Sequence, residues 1–238
     1  MMGTIINAVT IVVGSLLGLI FRKGMPKRVE ENSLKYVGAG IFIIGINGVL
    51  TSMLSVDPQT GRISSSGELV LVLSFIIGGM LGEYFRIDDR LNQGGKAIEN
   101  KLGAEGFAKG FISASMIFAI GAMGIVGAIA DGLTGDSSTL VVKAMIDGIT
   151  SIVLTTTLGY GVMFSAVVIL VYQGAISLCA SMLSNVLVGV LLDQICMVGY
   201  CIVLLIGTNM LGATKIKTSN LLPAMFGPVV YNFVISLF

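Results

Sequence analysis

Lys143 and Asp147 stand four residues apart within a largely apolar run. On a helix that spacing puts both on one face, where ammonium and carboxylate can pair. Ionisable groups inside a hydrophobic segment are costly and usually face a bundle interior or a water-filled cavity. The chain has no histidine, so Asp147 is the main candidate for a proton or cation partner. A second reading puts Lys143 at the segment's edge, where it would snorkel, with Asp147 in the first helical turn.

Hydroxyls follow the pair. Thr150, Ser151, Thr155, Thr156 and Thr157 lead into Gly159, Tyr160 and Gly161. Three successive threonines point in three directions, and the glycines allow the helix to loosen. Freed carbonyls, hydroxyls and a carboxylate are the oxygen ligands of a small cation, whereas a half-helix N-terminus suits an anion. Ser165 and Gln173 extend the polar face. The competing reading is a polar seam between helices. Asn47 and Asn209 each lie in a Gly-flanked apolar segment, where a buried amide must find partners. The candidate solute or ion site is therefore Asp147, Thr155, Thr156, Thr157, Gly159, Gly161, Ser165, Gln173, Asn47 and Asn209. Cys179, Cys196 and Cys201 lack metal-ligand spacing and read as packing residues. No metal site, catalytic residue or cofactor is expected.

The elements that hold these residues must be membrane helices. Of 238 residues, 55% are hydrophobic and 11% charged, and the net charge is +1. Soluble domains are about a quarter charged. Disorder is excluded by the hydrophobicity. Nucleic-acid binding is disfavoured by the lack of a basic footprint. Missing histidine excludes His-dependent triads and the usual hydrolytic zinc sites. About 20 apolar residues cross a bilayer as a helix. Eight spans are expected, roughly 3–21, 34–54, 68–85, 110–130, 140–158, 161–180, 195–213 and 220–236. Met182–Leu192 is apolar but short, and reads as interfacial or re-entrant. Asn92–Gly106 reads as a loop with a short surface helix. Pro223 and Pro228 should kink the last span.

Basic residues set orientation. Arg22, Lys23, Lys27, Arg28 and Lys35 follow the first span; Arg86, Arg90, Lys96, Lys101 and Lys109 follow the third; Lys215 and Lys217 follow the seventh. Eight spans with both termini extracytoplasmic put all these loops in the cytoplasm. Asp57, Asp131, Asp136 and Asp193 then fall in outer loops. The first residues carry no signal-peptide pattern.

The run Val12–Arg22 recurs as Ile76–Arg86, with five of eleven positions identical, and Ile41–Gly48 recurs as Ile117–Gly124, with five of eight identical. A two-span tandem repeat is expected, with units near 1–65 and 66–135, and 136–238 as a broken-helix region plus the last spans. The whole, 1–238, reads as a single integral membrane domain. A weaker echo of Ile43–Val49 in Leu205–Met210 suggests inverted pseudo-symmetry between the halves. Gly14 with Gly18, and Gly78 with Gly82, are four-residue pairs that allow close helix packing.

The runs Gly3–Asn7, Lys143–Gly148, Leu158–Ala166, Gln173-Gly174, Gly207–Leu211 and Asn220–Ala224 resemble a bacterial integral membrane family called domain of unknown function 554. The resemblance spans the chain. Where that family tends to carry Gly-Gly, this chain has Gly199-Tyr200. The resemblance implies the bacterial cytoplasmic (inner) membrane and, loosely, transport, with no established substrate. An all-α polytopic transmembrane bundle, not an enzyme, is therefore expected: a secondary transporter of a small solute or ion, working around Asp147 and the Thr/Gly-rich break. The alternative is a structural or accessory membrane protein that binds lipid or a partner. Expected partners are the lipid bilayer, an unidentified solute or ion, and, given the small-residue faces, a second copy in a homodimer.

Overall fold

The computed structural model describes residues 1–22, 26–56, 60–102, 106–120, 122–183 and 189–235. Helices dominate: α1 (Met2–Arg22), α2 (Lys27–Met53), α3 (Glu68–Tyr84), α4 (Ile87–Leu102), α5 (Phe107–Ala119), α6 (Ala122–Leu133), α7 (Ser138–Leu158), α8 (Gly161–Leu178), α9 (Ala180–Leu183), α10 (Gly189–Leu211), a 3-10 segment (Thr218–Phe226) and α11 (Gly227–Ile235). A small hairpin, β1 (Leu54–Val56) with β2 (Ile63–Ser65), pairs antiparallel between α2 and α3.

Side chains are distributed as lipid requires. On α7 the buried positions include Lys143, Asp147, Ser151 and Thr155, while Met145 and Ile149 are exposed at 62% and 66%. A water-soluble helix hides its apolar stripe. Here polar groups turn inward and apolar ones outward. Five described helices are long and apolar enough to cross a bilayer, and two bent helix pairs raise the number to seven. The fold is an all-α polytopic bundle.

One compact unit comprises 1–37 and 89–186. In it α1 runs parallel to α7, because Gly3 meets Leu140, Gly14 meets Gly148 and Ser151, and Gly18 meets Ile152 and Thr155. A Cβ on Gly18 would lie 2.5 Å from the Ile152 carbonyl oxygen. Glycine is what lets these backbones approach. The α5–α6 pair runs parallel to α8, with Gly110 near Gly161, Gly124 near Gln173 and Gly132 against Ser177. Phe107 sits edge-on to Phe164, 5.1 Å between ring centres, at the start of this packing.

The other unit comprises 38–88 and 187–238. There α3 runs antiparallel to the 3-10 segment and α11: Ser74 faces Gly227, Gly78 faces Ala224 and Gly82 faces Asn220. Likewise α2 opposes α10 through Gly38 with Met210, Gly45 with Leu204 and Gly48 with Tyr200. Val70, Met197, Val198 and Ala224 form its core.

Several expectations are corrected. The fourth span is not one rod: α5 and α6 meet at 65°. Residues 87–102 form one amphipathic helix, preceded by Arg86 in the left-handed region (φ 51°). Asp131 lies in α6 and is buried, its carboxylate 2.9 Å from the Met1 amine. Asp193 lies within α10. The last span begins as a 3-10 helix because Pro223 has no amide hydrogen for an α-helical bond. Asp57 and Gly121 lie outside the described residues, as do 184–188 within the short segment and the final residues of the last span.

Candidate functional site

A polar centre lies inside the first unit. Asp147 is the tenth residue of the 21-residue α7, so a straight crossing puts its carboxylate near the midplane. Lys143, one turn earlier, reaches back along the same buried face. Its ammonium pairs with an Asp147 oxygen at 2.5 Å and donates to the Phe118 carbonyl at 2.9 Å. Lys143 is only 6% exposed, so it does not snorkel.

The Phe118 carbonyl is available because α5 ends there. Ile120 is extended (φ −85°, ψ 133°), which interrupts the helical ladder before α6 begins. The last carbonyls of a helix have no partner inside it. A buried carbonyl left alone costs free energy comparable to a lost hydrogen bond. Lys143 supplies the missing donor across 25 positions of sequence.

Asn7 of α1 and Gln173 of α8 close the centre. The Asn7 amide nitrogen donates to Gln173 Oε1 at 3.2 Å, and the Asn7 side chain also reaches the Asp147 carboxylate. Both amides are fully buried. Asn7 Oδ1 and Gln173 Nε2 have no hydrogen-bond partner among the described residues. Gly124 of α6 faces this corner. A Cβ there would lie 3.2 Å from Lys143 Cε and 3.4 Å from Gln173 Nε2.

The expected site residues divide. Asp147 and Gln173 meet at this centre. Thr156 and Thr157 donate to the Val153 and Leu154 carbonyls of their own helix, and Ser165 donates to Val162. Thr155 packs against Gly18 in the α1–α7 seam. Gly159 (φ 75°) and Gly161 shape the turn from α7 to α8 instead of loosening a span; Gly159 packs on the Arg22 guanidinium and Gly161 on the Phe107 backbone. The Thr/Gly stretch is thus a helix end and a seam: Thr156 and Thr157 bond to carbonyls three residues back, while the buried Thr155 Oγ1 has no partner among the described residues. Asn47 is exposed on α2. Asn209 closes the end of α10: its oxygen accepts from Thr214 Oγ1 at 2.7 Å and the Ile216 amide at 2.9 Å, and its nitrogen donates to the Ile216 carbonyl at 2.7 Å. Both belong to the other unit.

Sequence reasoning gave Lys143 too little weight and passed over Asn7 as a site residue. The signal for Asn7 was present, an amide in an apolar first span. The break after Phe118 had no such signal, since neither proline nor a polar run marks it.

A groove of about 250 Å³ in the second unit is lined by apolar groups such as Val70, Leu73, Ile77 and Phe226. It offers no converging polar atoms for a solute.

The model of a family described as "Protein of unknown function (DUF554)" matches residues 2–233. This chain belongs to the DUF554 family. It is 34% identical to "Uncharacterized membrane protein YdfK" of Bacillus subtilis (strain 168), over all of this chain and 98% of that protein. It is 23% identical to "Uncharacterized protein YqgA" of Escherichia coli (strain K12), over 94% of this chain and 92% of that one. No solved structure matches the chain. In this DUF554 member the charged residues buried on α7 are Lys143 and Asp147.

Proposed function

We propose that the protein is a secondary membrane transporter of a small solute or ion, and that Asn7, Lys143, Asp147 and Gln173 form its midmembrane site. The observation that carries this reading is the broken span: the Phe118 carbonyl freed between α5 and α6 meets a charged pair in the middle of an apolar helix. Irregular backbone at membrane depth is tolerated where it lines a cavity or is packed in protein, and discontinuous helices often form carrier sites. The reading assigns no bond-making chemistry to the site.

The same proposal includes eight crossings of the cytoplasmic membrane with both termini outside. Helix directions support it. Three crossings separate α1 from α7, and they run parallel; one separates α5–α6 from α8, and they run parallel. Four separate α3 from the terminal segment, and four separate α2 from α10; both pairs run antiparallel. Alternating passes require this parity.

A structural or accessory role is the reading favoured by the direct bond between Lys143 and Asp147, which compensates both charges. Proteoliposome flux decides. Transport predicts uptake from a panel of ions, organic acids and amino acids that is lost in Asp147→Asn. No flux of any panel member, with a co-purifying partner or tightly held lipid, would favour the structural role.

A further inference from the structure

We propose that the groove between α3 and the terminal segment of the second unit seats an acyl chain of an anionic phospholipid, with the phosphate at its Arg86–Lys215 end. The proposal is independent of the transport reading, because it concerns other residues and another ligand.

The groove has the form of a lipid chain. On α3 its wall runs from Val70 to Leu81 at spacings of three and four, which is one helix stripe. Pro223, Phe226 and Val230 form the facing wall. The floor closes where Ser74 meets Gly227 and Gly78 meets Ala224. The stripe is about 16 Å long, close to the roughly 15 Å of hydrocarbon in one leaflet. Spread over that length, about 250 Å³ gives a cross-section of roughly 16 Å², against roughly 80 Å² for a helix about 10 Å across. A flexible hydrocarbon chain fits that space; a partner's helix would rest only on the rims.

The two ends of the groove differ in charge. Near Val70, Glu68 opens α3, and Asp193 lies one turn before Met197, which packs at Gly67. Arg62 of the hairpin is the basic residue on that side. Beyond Leu81 stand Arg86, Lys215 and Lys217, all exposed. Asn220 ties this end together. Its amide donates to the Lys217 carbonyl at 3.0 Å, and its side-chain oxygen accepts the Asp88 amide at 2.7 Å. Glu83 follows Leu81 by two residues, so it lies about 200° round the helix from the stripe. Asp88 and Lys217 each have a further partner. Arg86 and Lys215 are therefore the cations assigned to the phosphate.

Two further observations mark this end. Tyr84 continues the stripe one turn past Leu81 and is exposed, and aromatic residues of this kind sit at headgroup level. Arg86 is held in the left-handed region, and such backbone strain gathers at ligand clamps. An anionic headgroup is drawn to the basic end, and a zwitterionic one gains much less there.

The chain has no tryptophan, so Phe226→Trp on the groove wall gives a lone reporter, and Ile149→Trp on the exposed face of α7 gives a control. Each full-length protein is reconstituted in phosphatidylcholine vesicles that contain a rising share of brominated phosphatidylglycerol or brominated phosphatidylcholine. At Phe226→Trp the phosphatidylglycerol should quench with about tenfold higher relative affinity, the scale set by one or two basic side chains at an anionic headgroup. At Ile149→Trp the two lipids should quench alike. Adding Arg86→Gln and Lys215→Gln to Phe226→Trp should abolish the preference and keep the quenching. Equal affinities at Phe226→Trp overturn the proposal, as does a preference that survives the added changes. Quenching by neither lipid also overturns it, since a second copy or another protein would then cover the groove. Wild type supplies a test that needs no variant to fold. By native mass spectrometry it should retain phosphatidylglycerol through a detergent wash that strips phosphatidylcholine, and equal loss of both overturns the proposal.

Discussion

The Lys143 ammonium donates to the Phe118 carbonyl at 2.9 Å, so a lysine one turn from Asp147 closes the open end of a different helix. Two costs are offset at once. The carbonyl gains a donor, and the carboxylate gains a counter-charge. Each of the three groups depends on the other two.

Removing one member should therefore be worse than removing both charges. Asp147→Asn leaves a buried ammonium without its carboxylate, and Lys143→Met leaves a buried carboxylate alone. Breaking a buried pair from one side costs about 3–5 kcal/mol, whereas replacing both partners by apolar groups is often near neutral. The double variant Lys143→Met/Asp147→Leu should unfold, in detergent, closer to wild type than either single change. The Phe118 carbonyl remains unpaired in it and should keep about 1–3 kcal/mol of the loss. Equal destabilisation in the single and double variants would show that the pair is not coupled.

Two glycines, one in the α1–α7 seam and one on α2, make a matched test. Gly18→Ala puts a methyl 2.5 Å from the Ile152 carbonyl oxygen and 2.8 Å from Thr155 Cβ. Overpacking of this kind costs about 1–3 kcal/mol. Gly40→Ala, in α2, meets nothing within 4 Å. It should be neutral or stabilising by up to about 1 kcal/mol through helix propensity. Thermal unfolding of the two variants beside wild type reads the difference.

Asp136 precedes α7, and its carboxylate accepts the Ser138 amide at 3.0 Å. The backbone hydrogen bond from Ser138, with a further one from its side chain, holds this carboxyl below its ordinary value of 3.8. A folded pKa below the unfolded one gives stability that is present above the unfolded value and lost as pH falls through the folded value. The group is exposed, so the effect is small. The melting difference between wild type and Asp136→Asn should be constant near neutral pH and shrink only once the pH drops below 3.8. A difference that disappears at pH 6 would point to some other group.

What the sequence revealed and what it hid follow from the range of the interactions. The α7 and α8 ends at Leu158 and Gly161 were readable because glycines mark them locally. The i,i+4 relation of Lys143 to Asp147 was readable for the same reason. In the hydroxyl-rich stretch, composition does not say whether a threonine bonds outward or back to its own helix, and Thr156 and Thr157 bond back. Phe118 was hidden more deeply. Its role is a backbone carbonyl freed by an extended residue, and its partner lies 25 positions away. Asn47 and Asn209 looked alike in Gly-flanked runs, yet one is exposed and the other closes a helix end, a difference made by the neighbouring loop at Thr214 and Ile216.

Orientation can be tested without knowing the substrate. Thr134 lies exposed between α6 and α7, and Lys96 lies exposed on the amphipathic α4. Lys96 lies in the fourth helix and Thr134 follows the sixth, but only the crossings count: three precede Lys96 and four precede Thr134 in the eight-pass path. The two positions must then lie on opposite sides. On that path the positive-inside rule predicts a cytoplasmic α4 side, which carries Arg86, Arg90 and Lys96. In a background with the exposed Cys179 replaced by serine, Thr134→Cys should react with a membrane-impermeant maleimide in intact cells, and Lys96→Cys only after the membrane is opened. Labelling of both from the same side would remove one crossing between them and, with it, the parity that lets α1 and α7 run in the same direction.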